Sequence, residues 1–130
     1  MNPCVALIVL GVIGVSLAAM VVVGRLRGRY GIQAPAISGH PVFERAYRVQ
    51  MNTLEQTVLF LPTFWLAAQF GRDDLACAFG AVWLLGRIGY IVAYLRNPAS
   101  RGIPFVIAML AFVALLVQAI WGIGWSLALR

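Results

Sequence analysis

There is no lysine anywhere in this 130-residue chain, and acidic side chains are almost as scarce: Glu44, Glu55, Asp73 and Asp74 complete the set. Arginine therefore carries all of the fixed side-chain positive charge and leaves a formal net charge of +6. In a soluble protein that balance would raise nucleic acid as a partner, but no arginine cluster here accompanies a nucleic-acid-binding motif, so no nucleic acid is expected. Cys4 and Cys77 stand apart without CxxC or histidine spacing, which argues against both a metal site and a disulfide framework. His40 is the single histidine and reads as a loop residue near a membrane surface. Low-complexity segments, linkers and a second domain are also missing. Positive charge supplied by arginine alone fits a GC-rich bacterial genome, and hence a bacterial inner membrane.

What the chain has in excess is apolar surface. Hydrophobic residues make up 62% of it, with a mean hydropathy of +0.91, too much to leave a soluble globule a polar coat. Cys4 to Gly24 is long enough to span the ~30 Å of a bilayer's hydrocarbon. No positive n-region precedes it, so it is read as a retained helix rather than a cleaved signal peptide. Arg25, Arg27 and Arg29 end it at an interface, and Gly31, Pro35, Gly39 and Pro41 mark a loop. A second helix begins near Pro41 or Phe43 and continues to Phe70, with Pro62 expected to kink it. Leu75 to Tyr94 and Ile103 to Leu129 supply two more spans, the last with Trp121 and Trp125 as interface anchors.

The expectation is an all-α integral membrane protein, a single four-helix up-down-up-down bundle over residues 1–130 with spans at about 4–29, 43–70, 74–96 and 103–128. Its first and third connections, with the start of the second helix, hold Arg25, Arg27, Arg29, Arg45, Arg48, Arg96 and Arg101, against only Arg72 and Arg130 on the other side. The positive-inside rule then places the arginine-rich loops in the cytoplasm and both termini outside. Gly11 to Gly14 and Ala76 to Gly80 permit close helix contact.

Two polar stripes break the apolar pattern. At 100° per residue Glu44, Arg45, Arg48, Asn52 and Glu55 share one face of the second helix, and Arg87, Tyr90 and Tyr94 share one face of the third. If the third helix continued past Pro98, Arg101 would join that face. Charge inside a membrane helix costs about 2.5–3.5 kcal/mol even on a lenient scale, so such residues face a partner or a wet cavity. Arginine forks bind carboxylates, and a lone glutamate among them can receive an ammonium. A peptide-like molecule with two carboxylates and one amine fits this inventory. The competing reading pairs Glu55 with Arg87 or Arg48 as glue between helices, but one carboxylate cannot neutralise three arginines. Gln50 points away from the stripe, so it either serves a neighbouring subunit's site or bonds to its own first helix.

The run Phe43-Glu44-Arg45-Ala46-Tyr47-Arg48-Val49-Gln50-Met51-Asn52-Thr53-Leu54-Glu55, read with Arg87, Tyr90, Tyr94 and Arg101, resembles the MAPEG superfamily, the membrane-associated proteins of eicosanoid and glutathione metabolism. The likeness covers nearly the whole chain and is to its leukotriene synthase and microsomal glutathione transferase branches. It implies a homotrimer that binds glutathione between chains. Arg48, Asn52, Glu55, Arg87, Tyr90, Tyr94 and Arg101 would come from one chain, and Gln50 and Arg27 from its neighbour, with Arg25 and Arg29 also near enough in sequence for the latter role. Gln56 stands at a further contact position, where the leukotriene synthases carry a tyrosine. Arg101 matches the thiol-activating arginine.

The expected activity is that of a glutathione transferase/peroxidase-like protein with a part in detoxification. Glutathione is the co-substrate, and a hydrophobic electrophile or lipid hydroperoxide arrives from the membrane lipid. Two alternatives remain in view: a non-catalytic lipid- or glutathione-binding protein on the same scaffold, and a transporter subunit whose arginines line an anion path.

Overall fold

The structure is a computed structural model that describes residues 1–130. Four long helices, α1 (Pro3–Tyr30), α2 (Pro41–Phe70), α3 (Asp73–Arg96) and α4 (Gly102–Ala128), account for nearly all of it, with a 3-10 turn at Pro98–Arg101 leading into α4. The ends of the helices follow from local chemistry. Asn2 caps α1, its side-chain oxygen accepting from the amide of Cys4 at 2.9 Å, and Gly31, at φ 63°, closes the other end in the left-handed region that glycine tolerates. Proline at the first turn of α2 costs no hydrogen bond there, and the helix runs unbroken through Pro62. Asp73 and Asp74 open α3 and Arg96 ends it, each matched to the helix dipole.

Helices α2 and α3 form the centre of the bundle. Both α1 and α4 pack against this pair, and they do not approach one another. Apolar packing is densest away from the arginine-rich end, where Phe60 stacks on Trp83 at 3.8 Å between ring centroids and Phe64 lies beside them, closed over by Val5, Ile8, Val12 and Leu115. Small residues let the backbones close in. A Cβ at Gly80 would meet Phe64 at 2.7 Å and Ile8 at 3.1 Å, and one at Gly11 would meet Leu84 at 2.6 Å, so these two glycines serve contacts within the chain, whereas a Cβ at Gly14 would meet nothing within 4 Å.

Gly122 is the tightest of these positions, because its added Cβ would run into the backbone carbonyl of Phe70. A backbone group at the end of α2 cannot turn aside as a flexible side chain can. Replacing Gly122 with alanine is therefore expected to cost about 1–3 kcal/mol, the usual range for overpacking. The check is a lower midpoint of thermal unfolding in detergent.

The outward faces are apolar. Leu7, Leu10 and Leu17 of α1 and Leu110, Val117 and Trp121 of α4 are all exposed, and α1, α3 and the stretch from Pro98 to Ala128 are each long and apolar enough to cross a membrane. Helix α2 has the length, with its charged residues confined to its first half. Gln118 secures the far end of α2: its side-chain nitrogen donates to the carbonyls of Ala67 and Arg72 at 3.1 and 2.7 Å.

Candidate functional site

The α1–α2 loop fixes where the polar half of α2 begins. Arg27 Nη1 donates to the carbonyl of Ala36 at 2.6 Å and its guanidinium lies 4.9 Å from the Phe43 ring centroid. Tyr30 stacks on His40 at 3.7 Å, while Ile32, Val23, Phe43 and Ala46 form a small apolar cluster beneath the loop. The Nδ1 of His40 accepts from the Val42 amide at 3.2 Å and so caps α2. His40 is thus a loop residue with a structural task.

Above this anchored start, α2, α3 and the 3-10 turn enclose a polar cavity of about 290 Å³ lined by Tyr47, Arg48, Met51, Asn52, Glu55, Tyr90, Tyr94 and Arg101. Six of the sequence-derived residues meet here: Arg48, Asn52, Glu55, Tyr90, Tyr94 and Arg101. Tyr47 and Met51 were missed, although Met51 lies one helical turn before Glu55 and Tyr47 two turns before it, on the same side, and both could have been read from that spacing. Glu44 and Arg45 share the stripe and do not reach the cavity.

Arg101 arrives by a route that helical phase did not foresee. Helix α3 stops at Arg96, Asn97 caps the 3-10 turn by accepting from the Ala99 amide, and this turn brings Arg101 to the rim. There its Nη1 donates to the Pro98 carbonyl at 2.7 Å, and its guanidinium sits 5.2 Å from the Tyr94 ring centroid. Its side chain is held yet exposed, with most of its donors uncommitted.

Arg87 stands behind the wall of the cavity and is only 1% exposed. It has no carboxylate partner. Its Nη1 donates to Asn52 Oδ1 and its Nη2 to Thr53 Oγ1, both at 2.8 Å, while Tyr90 offers a ring face at 4.4 Å. The pairing of Glu55 with Arg87 or Arg48 does not occur, since the one ion pair of the chain joins Arg72 to Asp74 at 2.7 Å at the opposite end. Glu55 therefore remains an exposed, unpaired carboxylate beside Arg48 and Arg101.

Gln50, Gln56 and Arg27 stay outside the cavity. Gln50 is half-buried and makes no hydrogen bond to α1, and Arg27 is engaged by its own loop. Among the apolar hollows, one of about 150 Å³ lies between α1, α2 and α3 and is lined by Val15, Ala19, Val49 and Ile91 with six similar residues.

Comparison with known proteins agrees with this architecture. The family model for the MAPEG family matches residues 5–121. An uncharacterised protein of Synechocystis sp. is 43% identical over 111 residues, 85% of this chain and 81% of its own length. Leukotriene C4 synthase of Cavia porcellus is 34% identical over 99 residues, covering 76% of this chain and 66% of the synthase. Microsomal glutathione S-transferase 2 of Homo sapiens is 33% identical over 96 residues, covering 72% and 65%. The chain thus spans about two thirds of the length of those two relatives. With a family match over nearly its full length and the polar residues of α2 and α3 gathered at one end of a membrane helical bundle, the chain belongs to the MAPEG family.

Proposed function

We propose that this chain is a membrane glutathione transferase that holds glutathione in the polar cavity, raises the thiolate fraction of its sulfur and transfers it to an apolar electrophile. The observation that carries the reading is the unpaired Glu55 in a cavity that also presents Arg48 and Arg101. Glutathione is a peptide-like molecule with two carboxylates, one ammonium and one thiol, and this donor set answers those charges. Glu55 receives the ammonium, Arg48 forks a carboxylate, and Asn52, Tyr90 and Tyr94 supply neutral hydrogen bonds. Arg101 stands beside the sulfur.

Chemistry then belongs to the thiol, with position and charge supplied by the protein. The thiolate forms a carbon–sulfur bond with a conjugate acceptor, which takes up a proton, or with an epoxide, whose carbon–oxygen bond breaks and whose oxygen is protonated. With a lipid hydroperoxide the oxygen–oxygen bond breaks, the sulfur is oxidised to a sulfenic acid and the alcohol leaves. A second glutathione then converts the sulfenic acid to a disulfide and water. These electrophiles reach the site from membrane lipid, which fits a role in detoxification.

A cavity of about 290 Å³ lies at the lower edge of the ~300–1,000 Å³ usual for ligand sites and is open on one side. A neighbouring protomer would close it. In a homotrimer Gln50 and Arg27 would be presented across the boundary, and Gln56 would stand close to it. The arginine-rich end, and the cavity with it, faces the cytoplasm of a bacterial inner membrane, leaving both termini outside.

The direct test is an ultraviolet difference spectrum of the detergent-purified protein titrated with glutathione near neutral pH. A saturable thiolate band is expected. Binding without the band would reduce the protein to a glutathione-binding scaffold, and no binding would remove glutathione from the account. Mass measurement of the protein–detergent complex checks the trimer independently.

A further inference from the structure

Thr53 is one of the few buried polar side chains and touches the least exposed charge in the molecule. Its hydroxyl oxygen accepts from Arg87 Nη2 at 2.8 Å, at 2% exposure. Arg87 has few other anchors. Its Nε is buried without a partner, its remaining hydrogen bond goes to Asn52, and Tyr90 offers only a ring face. A guanidinium has donors and no acceptor, so the Asn52 atom that it meets must be the carbonyl oxygen. With Oδ1 committed to Arg87, Asn52 is left with its amide hydrogens, and Asn52 lines the cavity.

We propose that Thr53 is a positioning residue that holds Arg87 so that Asn52 faces the cavity as a donor only, which makes that part of the site selective for a carboxylate or carbonyl oxygen. The proposal rests on the glutathione reading for the identity of the ligand and stands apart from it for the geometry. Without the hydroxyl, Arg87 keeps a planar fork with only one tooth engaged. The guanidinium can then turn, and Asn52 is free to flip its amide and present oxygen against an anion.

Two measurements on the full chain test this. The protein has three asparagines, Asn2, Asn52 and Asn97, so selective ¹⁵N-asparagine labelling gives few side-chain amide signals and Asn52→Ala assigns the one of interest. In Thr53→Val, close in shape, the Asn52 amide signals are expected to shift and broaden, and glutathione affinity to fall about tenfold, on the scale of one charge-assisted hydrogen bond. Thr53→Ser retains the hydroxyl and should restore both. A role in packing alone would leave the amide signals of the valine variant unchanged, and that result overturns the proposal. If wild-type protein fails to bind glutathione, the functional reading falls, while the asparagine signals of the three proteins still decide whether Thr53 positions the site.

Discussion

Exchanging Arg101 for glutamine is expected to abolish the thiolate band at neutral pH while leaving glutathione affinity within a few fold of wild type. An ordinary thiol with a pKa near ~8.5 is only about 3% thiolate at pH 7, and a cation that lowers it by about two units, ~2.7 kcal/mol, brings the thiolate to about 75%. The absorbance at pH 7 should therefore drop about 25-fold in the variant and return as pH rises toward ~9.5. The fall in turnover will be smaller than the fall in absorbance, because a more basic thiolate is also more nucleophilic, with a Brønsted coefficient of about 0.4–0.5.

The wild-type rate should level off about two pH units lower than the rate of the variant. An unchanged thiolate titration would remove Arg101 from thiol activation. The structure makes this separation feasible. Arg101 is exposed at the rim and is held by the Pro98 carbonyl and the Tyr94 ring, so its loss empties no packed interior.

The route by which Arg101 reaches the cavity also marks how far sequence reasoning could go. The four helices were legible because apolar runs of spanning length alternate with arginine, glycine and proline, and bilayer thickness converts such runs into helices almost directly. Placing Arg101 required extending the phase of α3 through Pro98. The chain instead leaves the helix at Arg96 and uses a 3-10 turn, whose geometry depends on the Asn97 cap and on Ser100 donating to the Asn97 carbonyl at 2.7 Å. The same side chain ends near the same tyrosine by a different path.

Depth was less legible than phase. The spacing of Arg87, Tyr90 and Tyr94 correctly puts them on one side of α3, but nothing in a spacing says which member lies behind the packed wall. That depends on how closely α2 approaches α3 at Asn52 and Thr53, a tertiary quantity. Thr53 was invisible for the same reason, since one threonine among Asn52, Glu55 and Gln56 gives no local hint that its hydroxyl meets a buried guanidinium. Gln118, which donates to the Ala67 carbonyl of α2 and the Arg72 carbonyl of the turn that follows, likewise left no local trace.

The buried position of Arg87 leads to an expectation with two opposite sides: replacing it with leucine should weaken glutathione binding about a hundredfold or more while moving stability by less than about 2 kcal/mol. Burial of an arginine without a carboxylate partner is expensive, and replacing buried charge with apolar bulk is often neutral or favourable. Against that gain stand Thr53 Oγ1 and Asn52 Oδ1, which lose their donor. A buried acceptor left unpaired costs about 1–3 kcal/mol, although Asn52 can turn toward the wet cavity. These effects oppose one another, so the unfolding free energy should move by less than about 2 kcal/mol. Affinity has no such offset. If a carboxylate of the ligand came to about 6 Å from the guanidinium, it would gain about 2.8 kcal/mol at an effective dielectric constant of about 20, roughly a hundredfold in affinity. Losing the fixed orientation of Asn52 adds to that. Calorimetric titration beside thermal unfolding reads both sides on one preparation. A large loss of stability with affinity retained in the surviving folded protein would show that Arg87 serves only the helix contact, and that Arg48 and Arg101 suffice to hold the anion.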